Sequence, residues 1–142
     1  MSSPTRAVEI AQAAYLARVF PNHRCSRVRW SGGSTQVIEA GDGPPILFVH
    51  GGLGEAFQWA PLFPLLAPHY GVIAVDGPGH GLADPFDYRG VSLRAHACEF
   101  LRGMLDALHL PAAPIVGTSM GGLWAMSLAL ANPARVSSLV LV

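Results

Sequence analysis

Charge is scarce in this sequence. Asp, Glu, Lys and Arg make up 13% of its 142 residues, nine of each sign, and the net charge is zero. That is about half the usual charged share of a soluble domain, while apolar residues reach 51%. No basic excess offers a nucleic-acid partner an electrostatic footprint, and no acidic block marks a disordered tail. Cysteine is scarce too. Cys25 and Cys98 lie far apart, which argues for free thiols in a reducing compartment rather than a disulfide framework. None of the six histidines is paired at metal-ligand spacing. Long apolar runs are also missing. The longest, Met120–Ala131, falls short of the ~20 residues that span a bilayer. Near the start, Glu9 and Arg18 interrupt the apolar positions, so a secretory h-region is absent. The expectation is a cytoplasmic protein without a membrane or nucleic-acid partner.

What is present is alternation. Residues 6–20 carry Val8, Ile10, Ala14, Leu16 and Phe20 at a loose helical spacing, closed by Pro21. Two strand-like runs follow, Arg27 to Trp30 and Thr35 to Glu39, joined by hairpin chemistry at Ser-Gly-Gly. Ala-Gly-Asp-Gly at 40–43 is a further turn. From there the runs are continuously apolar: PILFVH (45–50), GVIAVD (71–76), APIVGTS (113–119) and VSSLVLV (136–142). Helical stretches are predicted between them at 57–67, 92–109 and 120–131. The clearest, 92–109, puts Leu93, Ala97, Phe100, Leu101, Met104, Leu105 and Leu108 on one face. Continuous apolar runs are strands buried on both faces, and their alternation with helices builds parallel βαβ units. Cys98 reads as an inert thiol in that helix, and Cys25 has no evident partner.

The third run ends in Gly117-Thr118-Ser119-Met120-Gly121, a G-x-S-x-G pattern between a predicted strand and a predicted helix. A serine at a sharp strand-to-helix turn is held in a strained conformation with its hydroxyl exposed. Side chains two residues before and after would collide, so Gly117 and Gly121 have none. The structural alternative is a glycine-rich turn with Ser119 as N-cap, and the pentapeptide alone does not separate the two.

A second loop bears on the choice. His50-Gly51-Gly52-Leu53-Gly54 follows the first buried strand. Acyl hydrolysis through a serine needs two donors aimed at the oxyanion. One is the backbone N–H of Met120, and the other that of Gly52 or Leu53. Loops leaving the carboxyl ends of parallel strands meet in one crevice. A third loop, Asp76-Gly77-Pro78-Gly79-His80-Gly81-Leu82-Ala83-Asp84, follows the next strand. Asp76 or His80 could serve a nucleophile there, but Asp76 and Asp84 are better suited to tying down turn backbone. Phe57 and Trp59 are candidates to line an acyl pocket. Trp124, Met126 and Leu128 read as helix-on-sheet core.

HGGLG, DGPGHGLAD and GTSMGG, in this order and spacing, resemble the α/β-hydrolase fold superfamily over about residues 28–142. The resemblance implies a mostly parallel sheet flanked by helices, with about the first six of eight strands present after an N-terminal helical extension at 1–27. It implies Ser119 as nucleophile, Met120 and Gly52 as oxyanion donors, and an architectural role for His50. The third loop often ends Gly-x-Ser-Asp in the family, and Ala83 stands in the serine's place. A serine nucleophile argues against haloalkane dehalogenase and epoxide hydrolase chemistry, which use aspartate on this fold.

Along the chain the family places serine, then acid, then histidine. After Ser119 there is no Asp, Glu or His, and Arg135 is the only charged residue. Of the upstream histidines, His80 alone is placed near the crevice. His109 is expected at the wrong end of the sheet, His96 inside a helix, and His23 and His69 sit in no motif. The expectation is therefore the N-terminal part of a serine hydrolase, inactive alone, acting on carboxylic esters or related small acyl substrates, with no metal or organic cofactor. Carbon–carbon bond hydrolysis, lactone opening, acyl transfer and haloperoxidation remain alternatives within the fold. A non-catalytic binding protein, or one half of a two-chain assembly joined through the exposed apolar strand at 136–142, are alternatives of another class, and the same strand edge is a candidate for self-association.

Overall fold

Burial of period two in the central strands divides the core into two layers. In β3 (Pro45–Val49) and β4 (Gly71–Val75), Leu47, Val49, Ile73 and Val75 serve one layer, and Phe48, Val72 and Ala74 the other. The structure, a computed structural model, describes residues 4–142, so the first three residues of the expected N-terminal extension lie outside the described residues. Helix α1 (Pro4–Val19) leads into the antiparallel hairpin β1 (Arg24–Trp30) and β2 (Gly33–Ala40). A 3₁₀ segment (Ala56–Leu62) and α2 (Phe63–Leu66) then link β3 to β4. Helix α3 (Leu93–Ala107), β5 (Ala113–Gly117), α4 (Met120–Ala131) and β6 (Val136–Leu141) complete the chain.

The six strands lie in the order β1-β2-β4-β3-β5-β6. β4, β3, β5 and β6 are parallel neighbours, and β2 joins β4 antiparallel. The fold is therefore α/β with a mostly parallel sheet, as the run of apolar segments implies. From β3 the chain moves to β4 on one side and later to β5 on the other. The first excursion passes over one face, where α1, the 3₁₀ segment and α2 pack on Phe48, Val72 and Ala74. The second passes over the opposite face, where α3 and α4 pack on Leu47, Val49, Ile73 and Ile115. Loops after β3 and β5 thus diverge at a topological switch point, the place where open α/β sheets hold ligands.

Three differences from the sequence reading have local causes. The expected helix at 57–67 is a 3₁₀ segment with Pro61 inside it, followed by a single α turn with Pro64 near its start. Proline lacks the donor that a continuous α-helix needs at both places. The boundary drawn after residue 27 falls inside β1, and α1 is no detached appendage, because Leu16 is fully buried in the core layer with Phe48 and Phe63. Helix α4 is apolar nearly all round, with Trp124, Ala125 and Leu128 buried in the core layer and Met120 packed against it. Leu123, Met126 and Leu130 stay exposed, as do Val140 and Leu141 on β6. Met126 therefore does not share the core role of Trp124 and Leu128.

Burial of Leu16 makes α1 a test of that integration. Leu16→Ala should cost about 2–4 kcal/mol of unfolding free energy, whereas Ile10→Ala, at a position 60% exposed, should stay within about 0.5 kcal/mol. Urea denaturation of both variants checks this. Equal, small effects would make α1 dispensable to the core.

Candidate active site

The turn from β5 into α4 passes through a strained corner. Ser119 has φ 49° and ψ −114°, a region that residues with a Cβ rarely adopt. Its side chain makes no capping hydrogen bond and is exposed, so the N-cap alternative does not describe it. The backbone around it is held from both sides. Thr118 N–H donates to Val49 O at 3.2 Å, Ser119 N–H donates to Val142 O at 3.0 Å, and Val142 N–H donates to Gly117 O at 3.0 Å.

Two glycines make this corner passable, in a slightly different way from a mutual collision. A Cβ on Gly117 would lie 2.5 Å from the Gly121 carbonyl oxygen. A Cβ on Gly121 would instead strike the ends of β3, against Val49 O and 2.5 Å from His50 O. Gly121 thus seats α4 on β3, and this seat brings the loop after β3 to the serine. The Cβ position of Gly51 is 3.2 Å from Ser119 Cβ, and that of Gly52 is 4.0 Å from Met120 Sδ. The N–H groups of Gly52 and Met120 donate to no backbone carbonyl in the turns and loops of the described residues. That of Met120 is free because it opens the helix. Both oxyanion candidates are therefore unspent donors beside Ser119.

His50 and Asp76 hold this loop from behind. His50 is 1% exposed. Gly77 N–H donates to its Nε2 at 2.7 Å, so Nε2 carries no proton, and Nδ1–H donates to Gly51 O at 2.6 Å. The imidazole is thereby fixed as one neutral tautomer. Burial lowers its pKa, the bond to Gly51 O opposes that, and the neighbouring His80 adds to the lowering. Asp76, also 1% exposed, accepts from Ala56 N–H at 2.6 Å and from Leu82 N–H at 2.8 Å. Burial raises its carboxyl to about 6 against the two backbone bonds that stabilise the anion. Asp84 accepts from Ser34 N–H at 2.9 Å and pairs with Arg27 at 2.7 Å, fixing the far end of the loop after β4 to the β1–β2 hairpin. Asp76 and Asp84 are turn ties, as their loop chemistry suggests.

The other sequence candidates scatter. Phe57 packs edge-on against Tyr15 at 5.1 Å, and Trp59 is 8% exposed against Phe48. Both belong to the α1 side of the sheet. Neither lines the hollow of about 300 Å³ that holds Ser119, whose walls are Gly122, Leu123, Met126, Leu141 and Val142. The sequence reading passed over Gly122, Leu123, Leu141 and Val142 and gave Met126 to the core, although the spacing 119, 122, 123, 126 places Gly122, Leu123 and Met126 on one helix face with the serine. His80 lies with its ring 5.2 Å from His50 and its Nδ1 2.9 Å from Pro78 O. His96 is buried against Phe86, Tyr88, Trp30 and Trp124, and burial lowers its pKa. His109 follows α3 on the approach to the amino end of β5, opposite Ser119. Among the described residues, Ser119 Oγ makes no side-chain hydrogen bond, and no three His, Cys, Asp or Glu converge to hold a metal. Cys98 is half-buried and packs against the core layer under α3, and Cys25 is exposed. Among the described residues, no helix is long and apolar enough to cross a membrane.

The raised Asp76 carboxyl makes stability pH-dependent with a definite sign. Unfolded aspartate titrates near ~3.9, and the folded group near 6. Between these values the native chain binds more protons than the unfolded chain, so stability falls as pH rises from about 4 to 6, by about 3 kcal/mol. Asp76→Asn removes this component while leaving one backbone donor unmatched. The stability deficit of the variant relative to wild type should therefore be largest near pH 4 and shrink towards pH 7. Denaturation across that range checks it, and a constant deficit would contradict the proposed titration.

Comparison with known proteins agrees with this architecture. Residues 44–142 match the sequence model of the alpha/beta hydrolase fold family. The chain is 39% identical over 101 residues to a 2-hydroxy-6-oxononadienedioate/2-hydroxy-6-oxononatrienedioate hydrolase of Dechloromonas aromatica, covering 68% of this chain and 35% of that protein. It is 38% identical over 100 residues to a pimeloyl-[acyl-carrier protein] methyl ester esterase of Legionella pneumophila, covering 70% of this chain and 38% of that one. Carboxylesterase CesB of Bacillus subtilis superposes with a TM-score of 0.83 at 25% identity, over 97% of this chain and 49% of the neighbour. The matches thus span less than half the length of these relatives. With an exposed serine at the strained corner after β5, a glycine loop after β3 beside it, and this likeness over most of its length, the chain belongs to the alpha/beta hydrolase fold family.

Proposed function

We propose that Ser119 is the nucleophile of a hydrolase acting on carboxylic esters or related small acyl substrates through an acyl-enzyme. Ser119 Oγ attacks the carbonyl carbon, the tetrahedral oxyanion takes the N–H groups of Gly52 and Met120, and the alcohol leaves with a proton. Water then attacks the acyl-enzyme, releases the acid and restores the hydroxyl. The observation that carries the reading is the backbone of Ser119. A strained, uncapped and exposed serine at φ 49° contributes nothing to the turn that glycine would not supply better. The likeness to an esterase and to a carboxylesterase supports the ester class.

A serine hydroxyl needs a base. None of the six histidines is bonded to Ser119 Oγ, and His50 has both ring nitrogens engaged in backbone contacts. The reading therefore takes the general base and its orienting acid from outside these 142 residues. It also takes the substrate as a small molecule and the setting as cytoplasmic, in keeping with two unpaired cysteines.

Carbon–carbon bond hydrolysis is the second reading. It is favoured by the 39% identity to a 2-hydroxy-6-oxononadienedioate hydrolase, and it would use the same serine corner and donors on a ketone carbonyl.

A fluorophosphonate probe tests the nucleophile. The active protein should acquire a covalent adduct on Ser119. Ser119→Ala should lose the adduct and lower kcat/KM for aryl esters by roughly 10⁴-fold or more. Undiminished labelling of the variant would exclude Ser119. Faster turnover of a 2-hydroxy-6-oxo dienedioate than of any ester would move the substrate class to the second reading.

A further inference from the structure

The loop beside Ser119 contains a residue that its own geometry does not favour. Leu53 lies between Gly52 and Gly54 with φ 62°, one of three residues other than glycine with positive φ among the described residues. Left-handed backbone disfavours any residue with a Cβ. Asparagine or aspartate would recover part of that cost through local hydrogen bonds, which leucine cannot make. Burial does not repay it either, because the Leu53 side chain is 102% exposed and has no place in either core layer. Glycine at this position would serve the fold better, and glycine already occupies 51, 52 and 54.

The position of this side chain says what it is for. Gly54 N–H donates to Gly51 O at 3.1 Å, which folds the loop back on itself and leaves residues 52 and 53 at its apex. The base of that turn abuts the nucleophile, with the Gly51 Cβ position 3.2 Å from Ser119 Cβ. On the other side of Ser119, the hollow is walled by Leu123, Met126, Leu141 and Val142. A carbonyl compound attacked by Ser119 carries two branches, and apolar side chains stand on both sides of the serine.

We infer that Leu53 is a specificity-determining residue, its side chain contacting an apolar branch of the substrate bound at Ser119. This rests on the reading of Ser119 as nucleophile. The leucine is held in an unfavourable conformation with no packing among these 142 residues, and the contact it lacks is supplied when an apolar acyl or alkoxy chain lies across the loop apex. Its backbone N–H is unaltered by replacement with glycine, so the oxyanion donors of the loop stay in place.

The experiment compares wild type with Leu53→Gly in the active protein. Two ester series are used: p-nitrophenyl esters of lengthening acyl chain, and acetates of lengthening alkyl alcohol. In one of them, the ratio of kcat/KM for the longest to the shortest member should fall about 10-fold in the variant, and the series affected identifies the branch. The variant should unfold at an equal or higher temperature, since the strain is relieved. Unchanged ratios in both series would overturn the inference. So would a fall in unfolding temperature beyond the few degrees that the extra unfolded-chain entropy of glycine accounts for, which would show that Leu53 packs against protein. Fluorophosphonate labelling of wild type separates the two levels. If wild-type Ser119 takes no label, the nucleophile reading fails and this inference with it. If it labels and the ratios do not move, only the role of Leu53 fails.

Discussion

Everything at the site depends on how closely the start of α4 sits on the end of β3. Gly121 faces the carbonyl oxygens of Val49 and His50 with no room for a Cβ, and Thr118 N–H donates into the same strand end. That contact does two things at once. It forces the chain through a left-handed corner at Ser119, and it brings the glycine loop after β3 alongside. A turn even one methyl group wider would separate Gly51 from Ser119 and the loop after β3 from the start of α4. The glycines are therefore best understood as spacers between elements, with the serine's strain as the consequence.

The frame behind this corner is polar and has its hydrogen bonds satisfied, in a sequence otherwise short of charge. His50 bridges Gly51 and Gly77 as a neutral ring, and Asp76 bridges Ala56 and Leu82. Each ties the loop after β3 to the loop after β4. Both are fully buried, and for both the loss of hydration shifts the pKa away from the charged form. Buried polar groups with their partners satisfied fix loop positions more tightly than apolar contacts alone, because each bond has a direction as well as a distance. The surface on the other side of Ser119 has no such ties. It is built from Leu123, Met126, Leu141 and Val142, an apolar wall beside an otherwise hydrogen-bonded loop frame.

The strands and the corner were legible because each has a strong local cause. PILFVH, GVIAVD and APIVG are apolar without interruption, which only strands covered on both faces require, and they form β3, β4 and β5. The turn ties of Asp76 and Asp84 follow from aspartates in glycine-rich loops. Residues 57–67 were less legible, because apolar spacing says helix while Pro61 and Pro64 remove the donors that would keep it α-helical. Helix α1, expected as an N-terminal helical extension at 1–27, has only a loose apolar spacing. Only the burial of Leu16 beside Phe63 shows that it closes a core layer.

The sequence by itself determined the order of elements, the parallel sheet and the serine at its corner, since these follow from hydrophobic period and from where glycine permits a turn. Only the tertiary structure decided which side chains surround that serine. Phe57 and Trp59 follow the glycine loop directly, yet they turn to the α1 face. Met126, on the helix after the serine, turns to the hollow beside it. Sequence distance is no guide there, because the face a residue meets is set by the rotation of its own element against the sheet. That rotation is fixed by contacts between segments far apart in the chain, such as Gly121 on Val49 and Leu16 on the layer of Phe48.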